Sequence, residues 1–413
     1  MKVTSVVSLI VLAQLATACQ AAPPSTSGDE IVIASDLPTT AGADFAIPLQ
    51  QAIELAIRQQ GHIAGFKLAF MPLDDSLGSA PSEAKGVQNV NRMISDSRVL
   101  GMIGPATSKT TYAEIPVANA ASLVMLSPTG TNTCLTLPSP VCPQQPADLR
   151  PGPNNYFRIA PPEALQGRAM ARFAAGTLKV QRVAAFNEWS GEGELVIDSF
   201  KEELMRGGGT LVLRAALSSG TADFTGFLAN ARANAAQAIY AVTNNNDDRA
   251  CAAAAQARRA FPEGVYFLGT DPLVDGANCI PDAVDNANGM VATLPDVDVT
   301  QSKDPGAQAV VRTYQKAFPN TSIGFNTYVG AAYDCARLLI DAISRAVLAN
   351  GGRIPTKMQV RDAVAQTKGF HGVTGTYSFD ANGDAISPLM SVYKVENGKW
   401  VYVGKIDAAA NPS

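Results

Sequence analysis

An alternation that runs twice along the chain constrains its fold more than any other feature. From residue 31, short β-rich runs alternate with amphipathic helical runs. IVIAS (31–35) precedes a segment whose Leu49, Ala52, Ile53, Ala56 and Ile57 share one helical face. FKLAFMPLDD (66–75) leads into PSEAKGVQNVNRMISD, RVLGMIG (98–104) into a helix beginning at Ser108, and LVMLSP (123–128) closes the series. After a Pro-, Asn- and Cys-rich stretch, 132–155, the pattern restarts with YFRIA, helix 162–178, VAAFNE, helix 193–207, TLVLRAAL, helix 223–234, AIYAVT, helix 247–261 and VYFLGT. Such alternation implies parallel sheets with helices on both faces. Two series predict two doubly wound α/β lobes. Three helical segments follow (306–318, 325–349, 356–367), then a β-rich end with Asn397-Gly398 as a hairpin turn. The chain is expected to leave one lobe and return to it.

The 413 residues suffice for two full cores. A net charge of −4 and the lack of any basic block argue against nucleic-acid binding. Lys2 is the only charge before Asp29, and Val3 to Ala18 is an apolar run of signal-peptide length. It ends in Leu15-Ala16-Thr17-Ala18-Cys19, which resembles the bacterial lipobox. We therefore expect a signal peptide over 1–18, lipidation at Cys19 and a polar tether over 19–29. A plain secretory signal cut near Ala21 or Ala22 is the alternative. No later segment approaches about eighteen uninterrupted apolar residues, so no transmembrane helix is expected.

Cys134 and Cys142 bracket a Pro-containing loop, which in an exported chain predicts a loop-closing disulfide. Cys251 and Cys279 are a plausible second bridge. Cys335 falls on the apolar stripe Ala332, Cys335, Ala336, Leu339, Ile343 and is expected to be a buried thiol. The only histidines, His62 and His371, have no ligand spacing and no CxxC occurs, so no metal is expected.

Enzyme motifs are missing: there is no GxSxG, Walker A or GxGxxG sequence. Asp74-Asp75 reads as structural. DANGD (380–384) starts like a calcium loop, but its glycine is misplaced, so a β-turn is expected. What remains is a set of strand-to-helix corners. Gly104 to Thr111 and Ser127 to Thr131 are rich in hydroxyls, which either cap helices or hold an anion with the free N–H groups. Both lie where ligands collect in open α/β sheets. The second series offers Asn187 to Ser190, Thr243-Asn244 and Thr270-Asp271. Trp189 could stack on a ligand or pack against the lobe edge.

QQAIELAIRQQGHIAGFKLAFMPLDD, MIGPATSKTTYAEIPVANAASLVMLSPTGTNTCLT, YFRIAPPEALQGRAMARFAA, NTYVGAAYDCARLLIDAISRA and GFHGVTGTYSFDANGD, in this order, resemble the type I periplasmic binding proteins. The resemblance is to the leucine/isoleucine/valine-binding branch of ABC-transporter solute receptors and covers almost the whole chain after the signal. It implies two lobes joined by three crossing strands, near 156–162, 290–297 and 372–376. Lobe 1 would comprise 30–156 and 296–372, and lobe 2 157–295 and 373–408.

The resemblance also implies site residues. Ser108, Thr129 and Thr131 would hold a ligand carboxylate, and Asp271, in place of the usual Glu, would meet the ammonium. Ser190 takes an aromatic position, so that contact is lost or passes to Trp189. Asn244 takes another contact position, and Asp44 and Phe45 fall in a loop bearing on selectivity. The selectivity end is thus more polar than a branched aliphatic ligand needs. The implied protein is a monomeric, cofactor-free lipoprotein that hands an amino acid or similar small polar metabolite to an ABC permease, with a ligand sensor of the same fold as the alternative.

Overall fold

The computed structural model describes residues 30–188, 191–218, 220–243, 249–275, 287–323, 328–386 and 388–409. The first sheet is built from β1 (Glu30–Asp36), β2 (His62–Ile63), β3 (Phe66–Leu73), β6 (Val99–Ile103), β7 (Val124–Ser127) and β8 (Tyr156–Arg158), with a small hairpin of β4 (Ser76–Leu77) and β5 (Ala80–Pro81) beside it. The strand order is β2-β3-β1-β6-β7-β8, and all pairs except β2–β3 are parallel. Every residue of β6 and β7 is buried, the pattern of strands covered on both faces. The covering helices are α1 (Ala43–Gln60), α2 (Glu83–Ser95) and α3 (Ser108–Ala120), with a short α4 (Pro146–Leu149) in the loop before β8.

The second sheet contains β9 (Arg182–Glu188), β10 (Thr210–Leu217), β11 (Ala238–Val242), β12 (Tyr266–Gly269) and β13 (Met290–Leu294). Its helices are α5 (Ala164–Gly176), α6 (Gly191–Arg206), α7 (Thr225–Ala233), α8 (Arg249–Ala260) and the short α9 (Pro272–Asp275). The chain then returns to the first lobe as α10 (Pro305–Ala317), α11 (Val329–Ala349) and α12 (Lys357–Ala365). Tyr314 on α10 donates its hydroxyl to the Pro48 carbonyl of α1 at 3.2 Å. On α11, Cys335, Leu339 and Ile343 join the first core, and Cys335 is a buried free thiol. After the small hairpin β14 (Phe370–His371) and β15 (Thr376–Tyr377), strands β16 (Leu389–Glu396) and β17 (Lys399–Asp407) complete the second sheet in the order β10-β9-β11-β12-β13-β16-β17. Their turn carries positive φ at Asn397 and Gly398, as the Asn-Gly pair predicts.

Two placements differ from the sequence reading. Tyr156–Arg158 completes the first sheet against β7 rather than opening the second series. The third passage between lobes also comes later than 372–376. Tyr377, Phe379 and Ala385 pack in the first core, and the chain joins the second sheet only at Leu389. One residue explains both. Arg158, with no exposed surface, pairs with Asp384 at 2.6 Å and so holds the Asp380–Asp384 turn against the first sheet's edge. That turn is a β-turn closed by Asp380, whose Oδ1 accepts from the amides of Asn382 and Asp384, each at 2.9 Å.

Candidate functional site

In each sheet the strand order reverses at one point, between β1 and β6 in the first and between β9 and β11 in the second. A crevice opens outside the carboxyl ends of the strands at such a point. The first-lobe crevice is flanked by the corner after β6. Gly104 there has φ +115°, and a Cβ on it would sit 2.4 Å from the Asp36 carbonyl, so only glycine lets the corner lie against the end of β1. Thr107 then caps α3, its Oγ1 accepting from the Thr110 amide at 3.4 Å. Capping is thus done by Thr107, and Ser108, the first helical residue, is half-buried with no hydrogen-bond partner for its hydroxyl among the described residues. A free hydroxyl beside the unpaired N–H groups of a helix start suits an anion.

The second corner is locked to the first. Thr129 Oγ1 donates to the Ala106 carbonyl at 2.9 Å, and Ser127 Oγ donates to the Pro105 carbonyl at 3.3 Å while accepting from the Gly130 amide at 2.9 Å. Gly130 is needed here because a Cβ would lie 2.2 Å from the Tyr156 hydroxyl. The Thr129 hydroxyl is therefore spent on structure, leaving Thr131, half-buried, with a hydroxyl that has no partner among the described residues. Arg158 fixes the loop beyond it, donating to the carbonyls of Gly130 at 2.7 Å and Asn132 at 2.6 Å and to the Thr136 hydroxyl. A charged residue inside the buried run YFRIA was the available signal for this partner.

In the second lobe Asp271 follows β12. Its Oδ1 accepts from Gln166 Nε2 at 2.7 Å, and Gln166 is itself held by the Thr293 hydroxyl at 3.2 Å. Burial raises the Asp271 pKa, against the Gln166 hydrogen bond, and no basic side chain pairs with it among the described residues. Gln166 was not singled out from the sequence. Glu192, in the first turn of α6, is likewise raised by burial, and among the described residues it is bonded to a neutral amide, Asn132, and to no cation. Trp189, Ser190 and Asn244 lie outside the described residues, as do Cys19 and Cys279. Asp44 is exposed in the first turn of α1, whereas Phe45 turns into the first core, edge-on to Tyr328 at 6.0 Å.

Cys134–Cys142 is a disulfide, and Cys251 is also disulfide-bonded. No cluster of potential metal ligands occurs among the described residues. Asp74 ties the loop after β1 in place, accepting from the Thr40 hydroxyl at 2.6 Å. Asp75 is buried with Asp36 and Glu114 behind the first corner. Burial, and next the Asp75 charge, raises Asp36 to about 8, burial raises Asp75 to about 6, and burial followed by the Asp36 charge pushes Glu114 well above its usual range.

Two doubly wound lobes, connected three times and meeting at the carboxyl ends of their strands, define a type I periplasmic binding protein. The chain belongs to the periplasmic binding protein family, whose model matches residues 32–399, and it is a solute-binding protein rather than an enzyme. A Leu/Ile/Val-binding protein homolog of Brucella melitensis is 23% identical over 361 residues, covering 85% of this chain and 86% of that one. Among solved structures, an ABC-transporter substrate-binding protein of Desulfitobacterium hafniense in complex with Leu is similar with TM-score 0.72 and 19% identity, over 91% of this chain and 100% of that one. A solute-binding protein of R. palustris in complex with benzoate is similar with TM-score 0.64 and 20% identity, over 91% and 96%. At such identities the solved structures establish the fold.

Proposed function

We propose that the chain is an extracytoplasmic lipoprotein, anchored through Cys19 to a bacterial membrane, that captures an amino acid or similar small zwitterion between its lobes and delivers it to an ABC permease. The carrying observation is the contrast in chemistry between the strand-end corners of the two lobes. Among the described residues, the first lobe offers unspent hydroxyls at Ser108 and Thr131 beside a helix start, and the second offers the desolvated Asp271 carboxylate with no cation paired to it. A ligand with an anionic and a cationic end satisfies both at once and bridges the lobes, so binding and closure are coupled. Thr129 supports the site by shaping it. Trp189, Ser190, Asn244, Asp44 and Phe45 would line the selectivity end, and the protein would act as a monomer.

A thermal-shift screen of the protein against amino acids, amides, aromatic acids and nucleosides tests this. A ligand that binds only the folded state raises the melting temperature. Hits carrying both carboxylate and amine, lost in Asp271→Asn, are expected. Hits confined to compounds without an amine would overturn the role given to Asp271.

A further inference from the structure

The loop Thr131–Cys142 belongs to the first lobe, yet its contacts reach the second. The Thr131 carbonyl accepts from the Glu163 amide at 2.6 Å, and Thr133 Oγ1 accepts from the Ala164 amide at 3.0 Å, so the loop caps the start of α5. Between these two, Asn132 Nδ2 donates to the Glu192 carboxylate on α6. At the loop's other end Val141 lies so close to Gly191 that a Cβ there would be 2.7 Å from the valine Cβ. The loop is fixed at several points. The Cys134–Cys142 bridge closes it, Asn132 Oδ1 accepts from the Cys134 amide at 2.8 Å and the Tyr112 hydroxyl at 3.2 Å, and Arg158 donates to its Asn132 carbonyl and Thr136 hydroxyl.

We propose that this disulfide-closed loop is an inter-lobe clasp, with Asn132 as a positioning residue that grips the start of α6 through Glu192 and sets the register in which the lobes close. The grip on α5 lies beside the chain crossing and persists through hinge motion. The grip on α6 spans the cleft and must break when the lobes part. Closure is then supported by protein contacts as well as by ligand. The charged or titratable groups facing the clasp are Glu192 on α6, Tyr112 on α3, Arg158 on β8 and Asp384, whose Oδ2 accepts from the Thr136 hydroxyl at 2.9 Å. Burial, and next the Glu192 charge, pushes Tyr112 to about 12, in keeping with that carboxylate lying over the first lobe.

Small-angle scattering on the full chain without ligand tests the clasp independently of what the cargo is. Glu192→Ala and Gly191→Ala, one losing the acceptor and the other colliding with Val141, are expected to shift the radius of gyration upward. Glu192→Gln keeps an amide acceptor and is expected to stay at the wild-type value. Asn132→Asp sets two carboxyls against each other, so it should be compact at pH 5, where they can share a proton, and expanded at pH 8. Circular dichroism at both pH values separates opening from unfolding. A radius of gyration unchanged in Glu192→Ala, Gly191→Ala and Asn132→Asp at both pH values would overturn the proposal, even if their melting temperatures fall.

Discussion

The two lobes share a winding and differ in where they keep their acids. In the first, Asp36, Asp75 and Glu114 are buried behind the β6–α3 corner, and the crevice is left to hydroxyls and backbone amides. In the second, Asp271 and Glu192 stand at the strand ends with only neutral partners among the described residues. The contrast teaches that one architecture can present opposite polarity at matching places. A carboxylate exposed beside Ser108 would repel an anion, while the same group buried and protonated would not. A carboxylate at Asp271, desolvated without a cation, is more stable once a cationic group arrives.

The largest break in this comparison comes from the brace behind the first lobe. Asp384→Ala leaves Arg158 buried and unpaired, and urea unfolding should show a loss of about 3–5 kcal/mol. Next is the second lobe's charge. Asp271→Asn keeps an acceptor for Gln166 but removes the anion, and titration calorimetry with the screened zwitterion should show about 2–3 kcal/mol less binding. The buried acids come third. An acid whose folded pKa is raised binds its proton longer in the folded state than in the unfolded one, so stability falls as pH rises from about 4, where the unfolded carboxyls ionise. For Asp36 the fall ends near its folded value of about 8. Glu114→Gln, neutral at all pH, should melt higher relative to wild type at pH 8 than at pH 4, as a pH series of thermal scans would show. Smallest is Ser108→Ala, which removes one neutral hydroxyl and should cost about 1 kcal/mol of ligand binding with little change in melting temperature. An equal loss in Thr129→Ala would blur the division between a binding and a bracing hydroxyl.

Much of this was legible because it is local. Apolar period and turn chemistry set the strands, the helix starting at Ser108 and the Asn397-Gly398 hairpin, and nearness in sequence paired Cys134 with Cys142. The candidate site was legible as corners, since hydroxyls at strand ends stand out in an apolar chain. The division of labour within them was not. Thr107, Ser108, Thr129 and Thr131 look alike in sequence, and only packing decides that Thr107 caps, Thr129 braces against Ala106 and the other two hydroxyls have no partner among the described residues.

The sequence by itself determined two doubly wound lobes and the corners at which they offer polar groups, because periodicity and capping act within a few residues. The tertiary structure alone decided that Arg158 meets Asp384 across 226 positions, that Gln166 holds Asp271 across 105, and that Asn132 reaches Glu192 in the other lobe across 60. Such contacts depend on two distant segments arriving at one place. Whether a buried charge is braced, neutral or waiting for a ligand depends on what arrives beside it.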